Sequence, residues 1–120
     1  MRKVIVESPY AGDVAMNVLY ARACVRDCVL RGEAPIASHL LLTQPGILAD
    51  GVGEERARGI EAGLAWLEVA DATVVYIDLG VSAGMRVGIQ RAEERRVPVE
   101  YRRLTPEQLR ALMHPRATDV

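Results

Sequence analysis

The chain has 120 residues, 50% of them apolar and 26% charged, with a formal net charge of −1. That length gives one domain able to bury a core without metals or disulfides, and the balanced charge argues against a nucleic-acid partner gripped by phosphate neutralisation. No run of about 18 apolar residues is present, so no membrane span is expected.

The opening Met1-Arg2-Lys3 leads into a short strand and not into the apolar core of a signal peptide, so a cytoplasmic protein is expected. Lys3 to Glu7 (KVIVE) is a β-branched run, the pattern of a strand covered on both faces. The polar, turn-forming cluster Glu7-Ser8-Pro9-Tyr10-Ala11-Gly12-Asp13 closes it and runs straight into a helix expected from Asp13 to Arg31. Asp13 suits the N-cap. Val14, Val18, Ala21, Val25, Cys28 and Val29 recur at helical spacing, and Gly32 stands where a C′ residue belongs. The two cysteines, Cys24 and Cys28, share a face of this helix and read as free buried thiols of a reducing compartment. With no histidine near them in sequence they fall short of a metal site.

Ala34 to Ser38 (APIAS) reads as a second short strand, although Pro35 is a poor strand residue. His39 to Gly53 has no period and is punctuated by the turn signals Pro45-Gly46 and Asp50-Gly51. Glu54 to Glu68 reads as a helix opening on two acids that suit the positive end of its dipole. Thr73 to Ile77 (TVVYI) is the strongest strand pattern in the chain. Ser82 to Arg95 reads as a helix with Met85, Ile89 and Ala92 on one stripe, and Val97 to Tyr101 (VPVEY) as the last strand. Thr105-Pro106-Glu107-Gln108 is a helix start, with Thr as N-cap, Pro at the first position and Gln at the third. A single domain over residues 1–114 is expected, with 115–120 a frayed tail; His114 is assigned no role. Strands alternate with helices throughout, which implies an α/β three-layer sandwich around a parallel sheet of four to five strands.

Ligands of such sheets bind beyond the carboxyl ends of the strands. Three segments fall there: Glu7 to Asp13, Ser38-His39, and Asp78-Leu79-Gly80-Val81-Ser82-Ala83-Gly84-Met85. Ser82 and Gly84 straddle a helix start whose free N–H groups favour a phosphate or carboxylate, or Ser82 is a plain N-cap. No GxGxxG or Walker-type motif is present, and no cofactor is expected. Asp78 ends a buried strand and could hold a sugar hydroxyl, do acid/base work or simply form a turn. His39 could be a base, a ligand contact or a hydrogen-bonded structural residue. Tyr10 could stack on a base or sit half-buried, and Asn17 could face the site or solvent. The glycine pairs Gly59/Gly63 and Gly84/Gly88 each sit four apart on a helix, which suggests close approach of a packed neighbour or a ligand.

The segments VIVESPYAGD with Asn17 following, PIASH, EERARGIEAG, ADATVVYIDLGVSAGM and VPVEYR resemble the nucleoside 2-deoxyribosyltransferase-like superfamily, and more closely a small phage and bacterial branch of unknown function. The resemblance covers roughly Val4 to Leu104. It implies a flavodoxin-like (Rossmann-like) sandwich holding a nucleoside or nucleotide at the strand ends, and an enzyme that cleaves or exchanges the N-glycosidic bond with a carboxylate at the anomeric carbon. By position, Ser8, Pro9 and Tyr10 would line the base or sugar. Asp78, the expected catalytic residue, would sit near the sugar, and Ser82 and Gly84 would meet a 5′ group or phosphate. Asp13, Asn17, His39 and Met85 are further candidate ligand contacts. A homo-oligomer is implied by the same resemblance.

One position departs from the pattern. Active members of the superfamily commonly carry their catalytic Glu where this chain has Gly88. Glu93, the next acid along that helix, lies roughly 16 Å from Ser82 at 1.5 Å per residue. A surviving carboxylate would then come from Asp78, Glu7, Asp13 or a neighbouring subunit. Three functions stay open on the sequence: an N-glycosidase or deoxyribosyltransferase, a non-catalytic nucleotide binder, and an interaction module whose paired glycines serve packing.

Overall fold

A computed structural model describes residues 1–113; the tail expected to fray, and His114 before it, lie outside the described residues. Four strands are formed: β1 (Lys3–Glu7), β2 (Ala34–Ile36), β3 (Ala72–Tyr76) and β4 (Val99–Arg102). They pair in parallel in the order β2-β1-β3-β4, with Ile5 of β1 opposite Ile36 on one side and Thr73 on the other. This is the flavodoxin-like order. The helices are α1 (Val14–Leu30), α2 (Ser38–Leu41), α3 (Gly53–Leu64), α4 (Ala83–Glu94) and α5 (Pro106–Met113), with a 3-10 turn at Ala65–Glu68 directly after α3.

The ends of these elements follow local chemistry. Asp13 caps α1 by accepting from the Met16 N–H at 3.2 Å, and the chain leaves the helix through Gly32 at φ +81°, a conformation that favours glycine. Thr105 and Gln108 form a reciprocal capping box on α5, at 2.7 and 3.1 Å. Pro98 shortens the last strand to Val99–Arg102: it has no N–H, and only its carbonyl joins the sheet, accepting from Thr73 N at 2.8 Å.

Two stretches differ from expectation. The second strand stops at Ile36, and Ser38–Leu41 turns instead into the short helix α2. The helix expected over 54–68 is α-helical only to Leu64 and tightens into the 3-10 turn thereafter.

The strand alternation splits the core between two faces. Val4, Val6, Val74 and Tyr76 pack against Tyr20, Cys24 and Cys28 of α1, with Leu109 and Leu112 of α5 at their edge. On the other face Ile5 meets Leu67 and Ala92, and Val75 meets Met85 and Ile89 of α4. The molecule is therefore a three-layer α/β sandwich. Cys24 and Cys28 are free and fully buried, and burial raises both thiols above the ordinary cysteine range.

Candidate functional site

β1 and β3 are neighbours, yet the chain leaves β1 toward β2 and leaves β3 toward β4. This switch point is where open parallel sheets form their ligand crevice. A cavity of about 250 Å³ lies there, against the carboxyl end of β1, just under the common range of small-molecule sites, about 300–1,000 Å³. Its chemistry comes from Glu7, Ser8, His39, Ser82, Gly84 and Gly88.

Ser8 follows β1 directly and is 4% exposed. Its hydroxyl lies 2.7 Å from Nε2 of His39, and either group can be the donor. The sequence places His39 here by starting α2 immediately after β2. Burial pushes the imidazole down to about 4, so it is neutral at physiological pH. Ser82 caps α4, its Oγ accepting from Met85 N at 3.3 Å. The amides of Ala83 and Gly84 in the first turn remain for an anion.

Glu7 points to the same face as Ile5, toward α3 and α4. It keeps some accessible surface and lines the cavity. Burial alone pushes its carboxyl up to about 8. Opposite it stands Gly88, where any Cβ would fall on the Glu7 carboxyl. Gly63 of α3 has the same relation to Ser38, whose Oγ occupies the space of a Cβ, and a Cβ on Gly59 would come within 3.2 Å of Leu48 Cδ1. Gly84 has open space around it. Three of the four paired glycines thus stand close against packed side chains that line the cavity, and at Gly88 the neighbour comes from the sheet.

The structure brings together Ser8, Tyr10, His39, Ser82, Gly84 and Met85 on the cavity wall. The other sequence candidates stand behind it. Pro9 is buried next to Ser8. Asp13 is the exposed cap of α1. Asn17 is buried and donates from Nδ2 to the carbonyls of Tyr10 (2.8 Å) and Ala11 (3.1 Å), so it holds the loop that follows β1.

Asp78, expected to carry the chemistry, is not among the lining residues. Alternation along the third strand carries it to the α1 face. There its carboxylate accepts from Tyr20 Oη at 2.6 Å and Leu104 N at 3.0 Å, and its own N–H donates back to Tyr20 Oη at 2.9 Å. The lining also includes Thr43, Asp50, Glu55 and Arg56. Sequence reasoning passed over Thr43 and Asp50 because His39 to Gly53 lacks any period, its turn signals marking a loop but not its inward side; Glu55 and Arg56 stood on an expected helix, where the opening acids read only as partners of its dipole.

A family model described as "Domain of unknown function (DUF7768)" matches residues 2–102, and the chain belongs to that family. No curated protein matches the chain. Among solved structures it is similar to a 2-deoxyribosyltransferase from the psychrotolerant bacterium Bacillus psychrosaccharolyticus, a biocatalyst for the synthesis of antiviral and antitumoral nucleosides. The TM-score is 0.60 at 21% identity, over 87% of this chain and 74% of that one. At that identity the likeness is one of fold.

Proposed function

We propose that this member of the family holds a nucleoside or nucleotide in the cavity at the β1–β3 switch point and cleaves or exchanges its N-glycosidic bond. The observation that carries the reading is the meeting of three groups in one cavity at the strand ends: the Glu7 carboxyl, the Ser8–His39 pair and the first turn of α4. The fold shared with a 2-deoxyribosyltransferase favours a nucleoside over other small molecules of that size. In this reading Tyr10 and Met85 pack on the base or sugar, and the α4 amides beside Ser82 and Gly84 receive the 5′ group. A carboxyl close to the sugar stabilises the positive charge that builds on it as the base departs. Asp78 braces the strand end behind the site.

The test is chromatography of nucleosides, nucleoside monophosphates and NAD after incubation with the pure protein. Release of free base is expected from at least one class. A second reading follows from Gly88 standing where the superfamily carries its Glu: a binder without chemistry. It requires that one of these ligands raises the melting temperature and is recovered intact. The proposal further includes a homo-oligomer, checked by sedimentation, and a cytoplasmic setting that suits the two free thiols.

A further inference from the structure

Two unfavourable features fall at one point of the cavity. A carboxyl buried without a compensating partner is costly, and Glu7 comes close to that: it is largely buried, has no hydrogen-bond or ionic partner among the described residues, and burial is the one cause that displaces its titration. A glycine inside a helix costs about 1 kcal/mol relative to Ala, and Gly88 lies inside α4. The two are linked sterically, because the Glu7 carboxyl fills the volume that a side chain at position 88 would take. The arrangement delivers an acid into the cavity from β1, through a gap opened in α4. Other titratable groups share the cavity: Tyr10 after β1, His39 on α2, Asp50 in the following loop, and Glu55 and Arg56 in the first turns of α3. α4 contributes none to the lining.

We propose that Glu7 is the acid of this site, giving its proton to the base of the bound nucleoside as the N-glycosidic bond breaks. This rests on the nucleoside reading above. The bond from the anomeric carbon to the base nitrogen breaks with its electron pair passing to the base, and the Glu7 hydroxyl supplies the proton that makes the base a neutral leaving group. A water oxygen bonds to the anomeric carbon, and the proton it sheds returns to Glu7, which begins and ends the cycle neutral. Glu7 becomes anionic at the moment the sugar becomes cationic, so one group serves both needs. Its neutral form at physiological pH follows from its burial, which holds the carboxyl protonated up to about pH 8.

The experiment compares wild type, Glu7→Gln, Gly88→Ala and the double variant Glu7→Ala/Gly88→Glu for base release against pH, with substrate binding measured by calorimetry. Wild-type kcat is expected to fall as pH rises through about 8. Glu7→Gln, nearly the same shape, is expected to keep substrate binding and lose about 10²–10⁴-fold in kcat. Gly88→Ala is expected to lose activity by displacing the carboxyl. The double variant, which brings a carboxyl into the cavity from the other wall, is expected to recover part of what Glu7→Gln lost. If wild type releases base and Glu7→Gln does so at the same rate with the same pH profile, the role of Glu7 is overturned while the nucleoside reading stands. A rate that climbs through pH 8 overturns the acid role. Wild type that neither binds nor cleaves any of the panel overturns the nucleoside reading, and this proposal with it.

Discussion

Burial displaces Glu7 and His39 in opposite directions, and their effects on stability separate by pH. The Glu7 carboxyl moves from 4.5 to about 8. Between those values the folded protein keeps a proton that the unfolded chain has released, so stability falls as pH rises across that window. His39 moves from 6.5 to about 4. Across that window the unfolded chain holds the extra proton, so stability rises with pH. The two oppose each other from pH 4.5 to 6.5, and Glu7 acts alone from 6.5 to 8. The melting temperature is expected to be nearly flat in the first interval and to drop in the second, with Glu7→Gln abolishing the drop; a rise from pH 6.5 to 8 would contradict the buried acid. Thr73 offers a simpler check: its fully buried Oγ1 has no hydrogen-bond partner among the described residues. Thr73→Val removes an unsatisfied hydroxyl and is expected to stabilise by about 1 kcal/mol in a urea titration. At this scale the sequence was partly legible. KVIVE reads as a strand apolar on both faces, so nothing in it said that Glu7 would follow Ile5 to the cavity side, or that Asp78 would turn away from it.

The cap residues made several elements readable: Asp13 and Gly32 bracket α1, and Thr105 with Gln108 opens α5. α2 was hidden because four residues are too few to show a period, and its N-terminal neighbour Ala37 offers no side-chain cap. The glycines of α3 and α4 were visible as pairs, but what they admit depends on side chains brought from β1, α2 and the loop after α2, which local sequence does not encode. Asp78 joins elements as well. Its carboxylate ties Tyr20 of α1 and the backbone before α5 to the end of β3. Asp78→Asn is therefore expected to destabilise by about 1.5–3 kcal/mol, the range of hydrogen bonds to a charged group, while leaving ligand affinity within a few-fold. Loss of binding or turnover in a variant that remains folded at the assay temperature would return Asp78 to the site.

Across the whole molecule, a network of charges crosses the α1 face of the sheet. Arg102 of β4 makes paired hydrogen bonds to Glu33 at 2.7 Å, and each side chain is only 8% exposed. Arg2 joins both Glu33 and Glu100, and Arg102 also reaches Glu100 at 3.2 Å. The guanidinium of Arg102 holds Glu33 below the usual carboxylate range. Glu33→Ala strands a buried cation and is expected to cost about 3 kcal/mol in a denaturant titration, with Glu100 offsetting part of the loss. This network clamps the face opposite the cavity, so the two halves of the sandwich differ: one face is tied by a buried ion pair, the other holds a hollow and an acid, Glu7, with no partner among the described residues. The alternation of strands and helices foretold the sandwich, because a parallel sheet demands crossovers; the division between faces was not legible, because it depends on which of two buried strand faces meets α1. The most direct test is a crystal structure of Glu7→Gln soaked with a nucleoside that wild type cleaves or binds. The ligand is expected at the carboxyl end of β1, its base within hydrogen-bond distance of residue 7 and its 5′ end at the first turn of α4. A nucleoside seated instead on the α1 face, in contact with Asp78 and away from Glu7, would contradict the account.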